Sequence, residues 1–127
     1  MSTLPDRNEL EFAKIEEIAN SENDHPVFML NLNKYFDRGG FLNQNEKYND
    51  YIKTVYAILH ETGGKMLWRS TVHDQMVGNQ DIDEVWAVWY PSHKVFLGLK
   101  DVQTAEKSFP LKRKVVERAV IHRCDPY

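Results

Sequence analysis

The residues best suited to acid–base chemistry lie near the ends of two predicted strands. Side chains of a regular strand alternate between its two faces, so Leu67, Arg69 and His73 would lie on the same face. There Arg69 and His73 could bind an anionic or enol substrate. Tyr90 and His93 flank a Pro-Ser turn beside the start of a predicted helix, a place that favours anions and suits a general base. We therefore predict His73, His93 and Tyr90 as catalytic candidates. The alternative is that the histidines face solvent and Tyr90 belongs to the core.

Asn31 is a polar side chain in the middle of an apolar strand, where an unpaired amide costs about 1–3 kcal/mol. It could hold a ligand carbonyl or hydroxyl, or it could bond to backbone or a buried water. The predicted substrate-binding residues are Asn31, Arg69, Trp68, Trp86, Tyr48 and Tyr51. For the aromatic members, simple packing in the core is the alternative interpretation.

The spacing of the histidines gives no metal motif. The five histidines are far apart and form no HxH, HxxxH or HExxH pattern. Neither Gly39-Gly40 nor Gly63-Gly64 matches a phosphate-binding loop. We therefore predict no metal and no cofactor, although a single axial histidine for haem stays open. Cys124 has no neighbouring motif that indicates a nucleophile.

The composition indicates one globular domain with no general affinity for polyanions. The chain has 127 residues, 42% of them hydrophobic and 12% aromatic, which excludes disorder. A net charge of −3 predicts no binding to nucleic acid or anionic membranes, and no apolar run approaches the roughly 20 residues that span a bilayer. A single cysteine and a polar N-terminus unlike a signal peptide predict a cytoplasmic location.

The hydrophobic pattern predicts the order β-α-β-β-α-β behind an N-terminal helix. Predicted helices cover residues 5–20, 45–61, a short segment capped by Ser92, and 110–119, and predicted strands cover 27–33, 65–73, 84–90 and 120–124. Gly39-Gly40 is predicted as the turn of a long loop, and Gly63 as the left-handed end of the second helix. We assign residues 1–25 to a helical extension and 26–127 to a ferredoxin-like α+β domain.

The third predicted strand is apolar on both faces. One face carries Val85, Ala87 and Trp89, and the other carries Trp86, Val88 and Tyr90. A sheet with one wet face would alternate apolar and polar residues, so the second face needs a cover. A second copy related by a two-fold axis is the simplest cover, and we predict a homodimer. The alternative is that the N-terminal helix folds across that face.

Several local features form an ordered set along the chain. They are Met29–Leu32 in the first strand, Tyr48 and Tyr51 in the following helix, Gly63-Gly64 before Trp68, Gly78, and the Tyr90-Pro91-Ser92 turn before Phe96. This set, which spans roughly residues 26–124, resembles a family of uncharacterised proteins in the dimeric α+β-barrel superfamily. The resemblance implies the ferredoxin-like fold and the dimer.

The wider superfamily includes cofactor-free monooxygenases, lactone isomerases, polyketide cyclases and haem-dependent enzymes, which share a pocket between the sheet and the helices of each subunit. By this analogy we expect a small cofactor-independent enzyme that acts on a hydrophobic carbonyl-bearing or aromatic metabolite. The alternative is a non-catalytic dimeric module that binds a small ligand or a partner protein.

Overall fold

The computed structural model describes residues 7–22 and 24–126, which form four strands and several helices. In chain order the elements are α1 (Arg7–Ala19), β1 (Val27–Tyr35), α2 (Arg38–Leu42), α3 (Glu46–Thr62), β2 (Lys65–Thr71), β3 (Glu84–Tyr90), α4 (His93–Leu97), a 3-10 turn (Leu99–Asp101), α5 (Ala105–Val115) and β4 (Val116–Cys124). The predicted α+β class is confirmed. The start of the first predicted helix, residues 5–6, lies outside the described residues.

The strands form one antiparallel sheet in the order β2-β3-β1-β4, so β1 and β3 are central. One face of the sheet packs against α3 and α5, which also pack against each other. The core on this helical face contains Val27 and Met29 of β1 and Trp86, Val88 and Tyr90 of β3.

Capping residues explain where α3 begins and ends and where α4 begins. The Asn45 side chain accepts a hydrogen bond from the Tyr48 amide at 3.0 Å, which fixes the start of α3. Gly63 ends α3 with a φ of 76°, a left-handed conformation that favours glycine. Ser92 caps α4 by accepting from the Val95 amide at 3.1 Å.

Two predicted segments are corrected by the structure. Gly39 and Gly40 lie inside α2 because the Asp37 side chain accepts from the Gly40 amide at 2.9 Å and starts a helix there. The last helix begins at Ala105, not at Pro110, and ends where β4 begins at Val116. A proline inside a helix removes one backbone hydrogen bond, and here the buried face of α5 maintains the helix through it.

The strand β2 is shorter than predicted and contains a bulge. It ends at Thr71, so His73 follows the strand. Its pairing with β3 shifts between Met66 and Trp68, which places Trp68 opposite Ala87 and Arg69 opposite Trp86. Regular alternation, which would put Arg69 with Leu67 on one face, is therefore wrong for this strand.

The other face of the sheet, here called the far face, is apolar. Its apolar members, read from the strand register, are Phe28, Leu30, Leu32, Trp68, Val85, Ala87, Trp89 and Val120, and the edge strands add Lys65, Ser70, His122 and Cys124 to the same face. The predicted alternative of an N-terminal helix covering this face is contradicted for the described part of α1. That helix packs on α4, where Ile18 is buried, and Ile15 faces the helical side of the sheet.

Candidate functional site

An apolar cavity of about 390 Å³ lies between the helical face of the sheet and helices α3, α4 and α5. Aliphatic and aromatic side chains form most of its wall: Ile15, Val55, Ile58, Leu59, Phe96, Leu97, Leu99, Phe109 and Ile121. Its size and lining are those of sites that bind small, largely apolar molecules.

Four of the predicted site residues meet at this cavity: Asn31, Tyr51, Trp86 and Tyr90. The Asn31 amide Nδ2 donates to the carbonyl of Met29 at 3.1 Å, which orients the side chain and leaves its Oδ1 as an acceptor. The rings of Tyr51 and Trp86 lie 6.2 Å apart. Trp86 Nε1 is buried and has no hydrogen-bond partner among the described residues. These four residues come from β1, α3 and β3.

The two cavity tyrosines are neutral donors at physiological pH. Burial raises the pKa of Tyr90 well above 10.0. Burial, and then the negative charge of Glu84, raises the pKa of Tyr51 in the same direction. Both hydroxyls therefore keep their protons and can donate to an oxygen of a bound molecule.

Lys112 of α5 also lines the cavity, although the sequence analysis missed it. Burial lowers the pKa of its ammonium group, because an apolar wall disfavours the charged form. The signal was present in the spacing of Ala105, Ser108, Lys112 and Val115, which follows one helical face. Starting the helix at Pro110 concealed that stripe.

A separate polar cluster surrounds the side chain of Glu84, a residue that is only 4% exposed. The hydroxyl of Tyr48 donates to both carboxylate oxygens of Glu84, at 2.8 and 3.0 Å. Arg69 Nη1 lies 3.5 Å from the same hydroxyl. Burial, and then the charge of Glu84, raises the pKa of Tyr48. Tyr48 and Arg69, predicted to bind substrate, therefore serve this cluster and do not line the cavity.

His73 lies in a different cleft of about 640 Å³ along the loop before β3. The loop is fastened by Asp83, which is 1% exposed and accepts from Arg38 Nη1 at 2.6 Å and from the Tyr35 amide at 2.8 Å. Arg38 also donates to the Val72 carbonyl at 2.9 Å. The predicted pairing of Arg69 with His73 at one site is absent from this arrangement.

The two remaining predicted residues are also placed away from the cavity. Trp68 is 51% exposed and lies on the far face. His93 lies at the start of α4 beside His25 and Asp125, in a cleft of about 320 Å³. Burial, and then the neighbouring His25 and Arg123, lowers the pKa of His93. His25, His93 and Asp125 are the group in the described chain that could hold a metal ion.

The architecture defines an α+β protein with a four-stranded antiparallel sheet. No protein-family model matches the chain, and no curated protein matches it. Among solved structures it is similar to the RPA0582 protein of unknown function from Rhodopseudomonas palustris, with a TM-score of 0.72, 22% identity, and coverage of 98% of this chain and 95% of that one. The structure of methylated RPA0582 gives a TM-score of 0.72 at 21% identity, covering 99% of this chain and 95% of that one.

A more distant likeness is to At3g17210 from Arabidopsis thaliana, with a TM-score of 0.55, 10% identity, and coverage of 80% of this chain and 95% of that one. At these identities the likeness concerns the fold alone. None of the helices in the described part of the chain is long and apolar enough to cross a bilayer.

Proposed function

We propose that this protein binds a small, mainly apolar metabolite carrying a carbonyl or hydroxyl group, in the cavity between the sheet and the helices. The observation that carries the proposal is the cavity itself, an apolar space of about 390 Å³ with a few polar side chains at its wall. Asn31 supplies an acceptor, and Tyr51 and Tyr90 supply donors. Such a set orients a ligand that has one or two oxygen atoms.

Each subunit in this proposal has the ferredoxin-like βαββαβ arrangement, and two subunits pair through their far faces. The strand order β2-β3-β1-β4 supports the first part. The second part is supported by the row of apolar side chains on β1 and β3, including Leu30 and Trp89, which α1 leaves uncovered. A two-fold axis through this face would bury one apolar surface against its own copy.

Binding is favoured over the predicted histidine-based catalysis because His73 and His93 lie in other clefts. A second candidate, a cofactor-independent proton-transfer enzyme, is favoured by one observation. Lys112 lines the apolar cavity, and burial lowers its pKa, which increases the fraction of neutral amine able to take a proton. The amine of Lys112 would then be the base next to the carbonyl of a bound ligand.

Isothermal titration calorimetry with 2-naphthol and naphthalene tests the binding proposal. Val55→Trp fills the cavity and is expected to abolish binding of both probes, whereas Val77→Trp, in an exposed loop, leaves it unchanged. Asn31→Leu is expected to weaken 2-naphthol about five-fold, the value of one hydrogen bond, and to leave naphthalene unaffected. Equal binding by wild type and a folded Val55→Trp variant would place the site elsewhere.

Proton exchange distinguishes the second candidate from simple binding. In D₂O, the hydrogens beside the carbonyl of 1-indanone exchange faster when a base is positioned near them. The enzyme candidate predicts that the wild type accelerates this exchange and that Lys112→Met abolishes the acceleration. Binding of 1-indanone without acceleration leaves the binding function and removes the catalytic one.

A further inference from the structure

Two histidines and one aspartate from remote parts of the chain converge at one end of the sheet. His25 precedes β1, His93 is the first residue of α4, and Asp125 follows β4. Their candidate ligand atoms all lie within 4.8 Å of one another. His93 Nε2 is 4.0 Å from Asp125 Oδ1, and the two imidazole rings meet edge to face with centroids 4.8 Å apart.

His25 has the hydrogen bonding of a metal ligand, and His93 has a ring nitrogen without a partner among the described residues. His25 Nδ1 lies 3.0 Å from the carbonyl oxygen of Pro26, and this contact requires a proton on Nδ1, which leaves Nε2 with a free lone pair. His93 Nε2 is buried and has no hydrogen-bond partner among the described residues. A buried imidazole nitrogen without a partner is costly unless something binds it.

Two neutral imidazoles and one carboxylate are a ligand set for zinc and other late first-row divalent ions. Ligand atoms around one Zn²⁺ ion are about 3.3 Å apart, given Zn–N bonds near 2.0–2.1 Å. The observed spread therefore needs movements of about 1 Å. Asp125 can make such a movement, because its side chain is 76% exposed and lies beyond the end of β4.

Charged side chains of both signs surround the two histidines and Asp125. Arg123 lines the same cleft and disfavours a cation there. Glu17 of α1 lines the cleft too, and Asp24 accepts hydrogen bonds from the backbone amides of His93 and Lys94 at 2.7 and 3.2 Å. With Asp125, these three carboxylates outnumber the two neighbouring cations, Arg123 and Lys94, of which Lys94 acts on Asp24.

We propose that His25, His93 and Asp125 bind one divalent ion of the zinc type. The ion would fasten the segment before β1 to the start of α4 and the chain after β4, next to the docked helix α1. This proposal differs from the prediction of no metal, which depended on local spacing. The three ligands come from segments that only the fold brings together.

Titration of untagged, EDTA-dialysed protein with ZnCl₂ and CoCl₂ tests the site. We expect one ion per chain and a visible Co²⁺ absorption band typical of a low coordination number with nitrogen and oxygen ligands. Zn²⁺ at a concentration 100-fold above Kd should raise Tm by at least ~5 °C. His25→Gln and Asp125→Asn are expected to lower Zn²⁺ affinity at least ten-fold. His60→Gln, which alters an exposed histidine on α3, serves as the control and should bind normally.

Two outcomes would overturn the proposal. Wild-type protein that shows no Zn²⁺ binding below about 1 mM has no such site. Binding that is equally strong in Asp125→Asn, His25→Gln and wild type means that the ion is held elsewhere. Asp125 is an exposed residue after the last strand, so its substitution keeps the test informative even where a histidine variant fails to fold.

Discussion

Tyr35 and Glu84 lie on the two central strands and are joined by a buried hydrogen bond of 2.5 Å from the phenol to Oε1 of the carboxylate. Both side chains are almost inaccessible, and Tyr48 donates to the same carboxylate from α3. Hydrogen bonds to a charged acceptor are stronger than neutral ones, and a buried carboxylate that loses a donor is left partly unsolvated. This trio therefore ties α3 to the centre of the sheet.

Tyr35→Phe is expected to lower the free energy of unfolding by about 2 kcal/mol, because it removes one donor to a buried carboxylate without changing the ring. Urea denaturation monitored by circular dichroism measures the change. Tyr56→Phe is the matched control, since Tyr56 is 43% exposed, and its effect should stay within about 0.5 kcal/mol. If Tyr35→Phe lowers the free energy of unfolding no more than Tyr56→Phe does, the hydrogen bond between Tyr35 and Glu84 makes no net contribution to stability.

Alkaline pH is expected to destabilise the fold through the same residues. Burial, and then the charge of Glu84, raises the pKa of Tyr35 above 10.0, and the pKa values of Tyr48, Tyr51 and Tyr90 are also raised. A raised native pKa means that the stabilisation is complete below the unfolded pKa near 10 and is lost as pH rises above it.

Absorbance at 295 nm after a pH jump measures this prediction. The four buried tyrosines should ionise only as fast as the chain unfolds, while exposed phenols ionise within the mixing time. Immediate ionisation of every tyrosine in native protein at pH 11 would contradict it.

Lys112→Met is expected to maintain or raise stability by up to about 1 kcal/mol, because the apolar stem is kept and the poorly solvated ammonium group is removed. Lys114→Met, on the exposed face of the same helix, should change stability by less than about 0.5 kcal/mol. Thermal and urea unfolding of both variants provide the comparison. A clear loss in Lys112→Met alone would show that the charged amine has a partner that stabilises it.

The proposed dimer predicts a particle of twice the chain mass of 14.9 kDa in multi-angle light scattering. Leu30→Glu places a charge at the centre of the far face and should give a monomer, since an unpaired charge cannot be buried there. Leu42→Glu, at an exposed position at the end of α2, is the control and should remain dimeric. Wild-type protein that stays monomeric at 100 μM would contradict the proposal.

The sequence predicted best where a pattern and a cap agree. The limits of β3 are as predicted, and α3 differs by one residue at each end, because Asn45 and Gly63 mark its ends and an apolar stripe fills its length. Prediction of helix limits failed at residue types that occur in more than one kind of local structure. Pro110 indicates a helix start in isolation, and Gly39-Gly40 indicates a turn, but tertiary packing and the Asp37 cap overrode both.

The sequence indicates which residues of the central strands share a face, but not which side chains from different elements meet at one cavity. Asn31, Trp86 and Tyr90 are interpretable because polar or aromatic residues in central strands must face one layer or the other. Whether Tyr48 and Tyr51 reach the same place depends on small differences in angle around α3, which separate them into two sites. The convergence of His25 with His93 depends on long-range chain paths that spacing does not contain.

The extra residue in β2 at Leu67 decides which side chains the edge strand presents to each layer. Deletion of Leu67 would remove this extra residue and leave Trp68 opposite Ala87 and Arg69 opposite Trp86, because the residues on either side of the bulge keep their partners on β3. If Leu67 entered the ladder instead, Trp68 would move to the helix side and Arg69 to the opposite side, away from the Tyr48 hydroxyl. The bulge therefore lets the strand carry one more residue than its partner pairs with, while each of its two surfaces keeps its own chemistry.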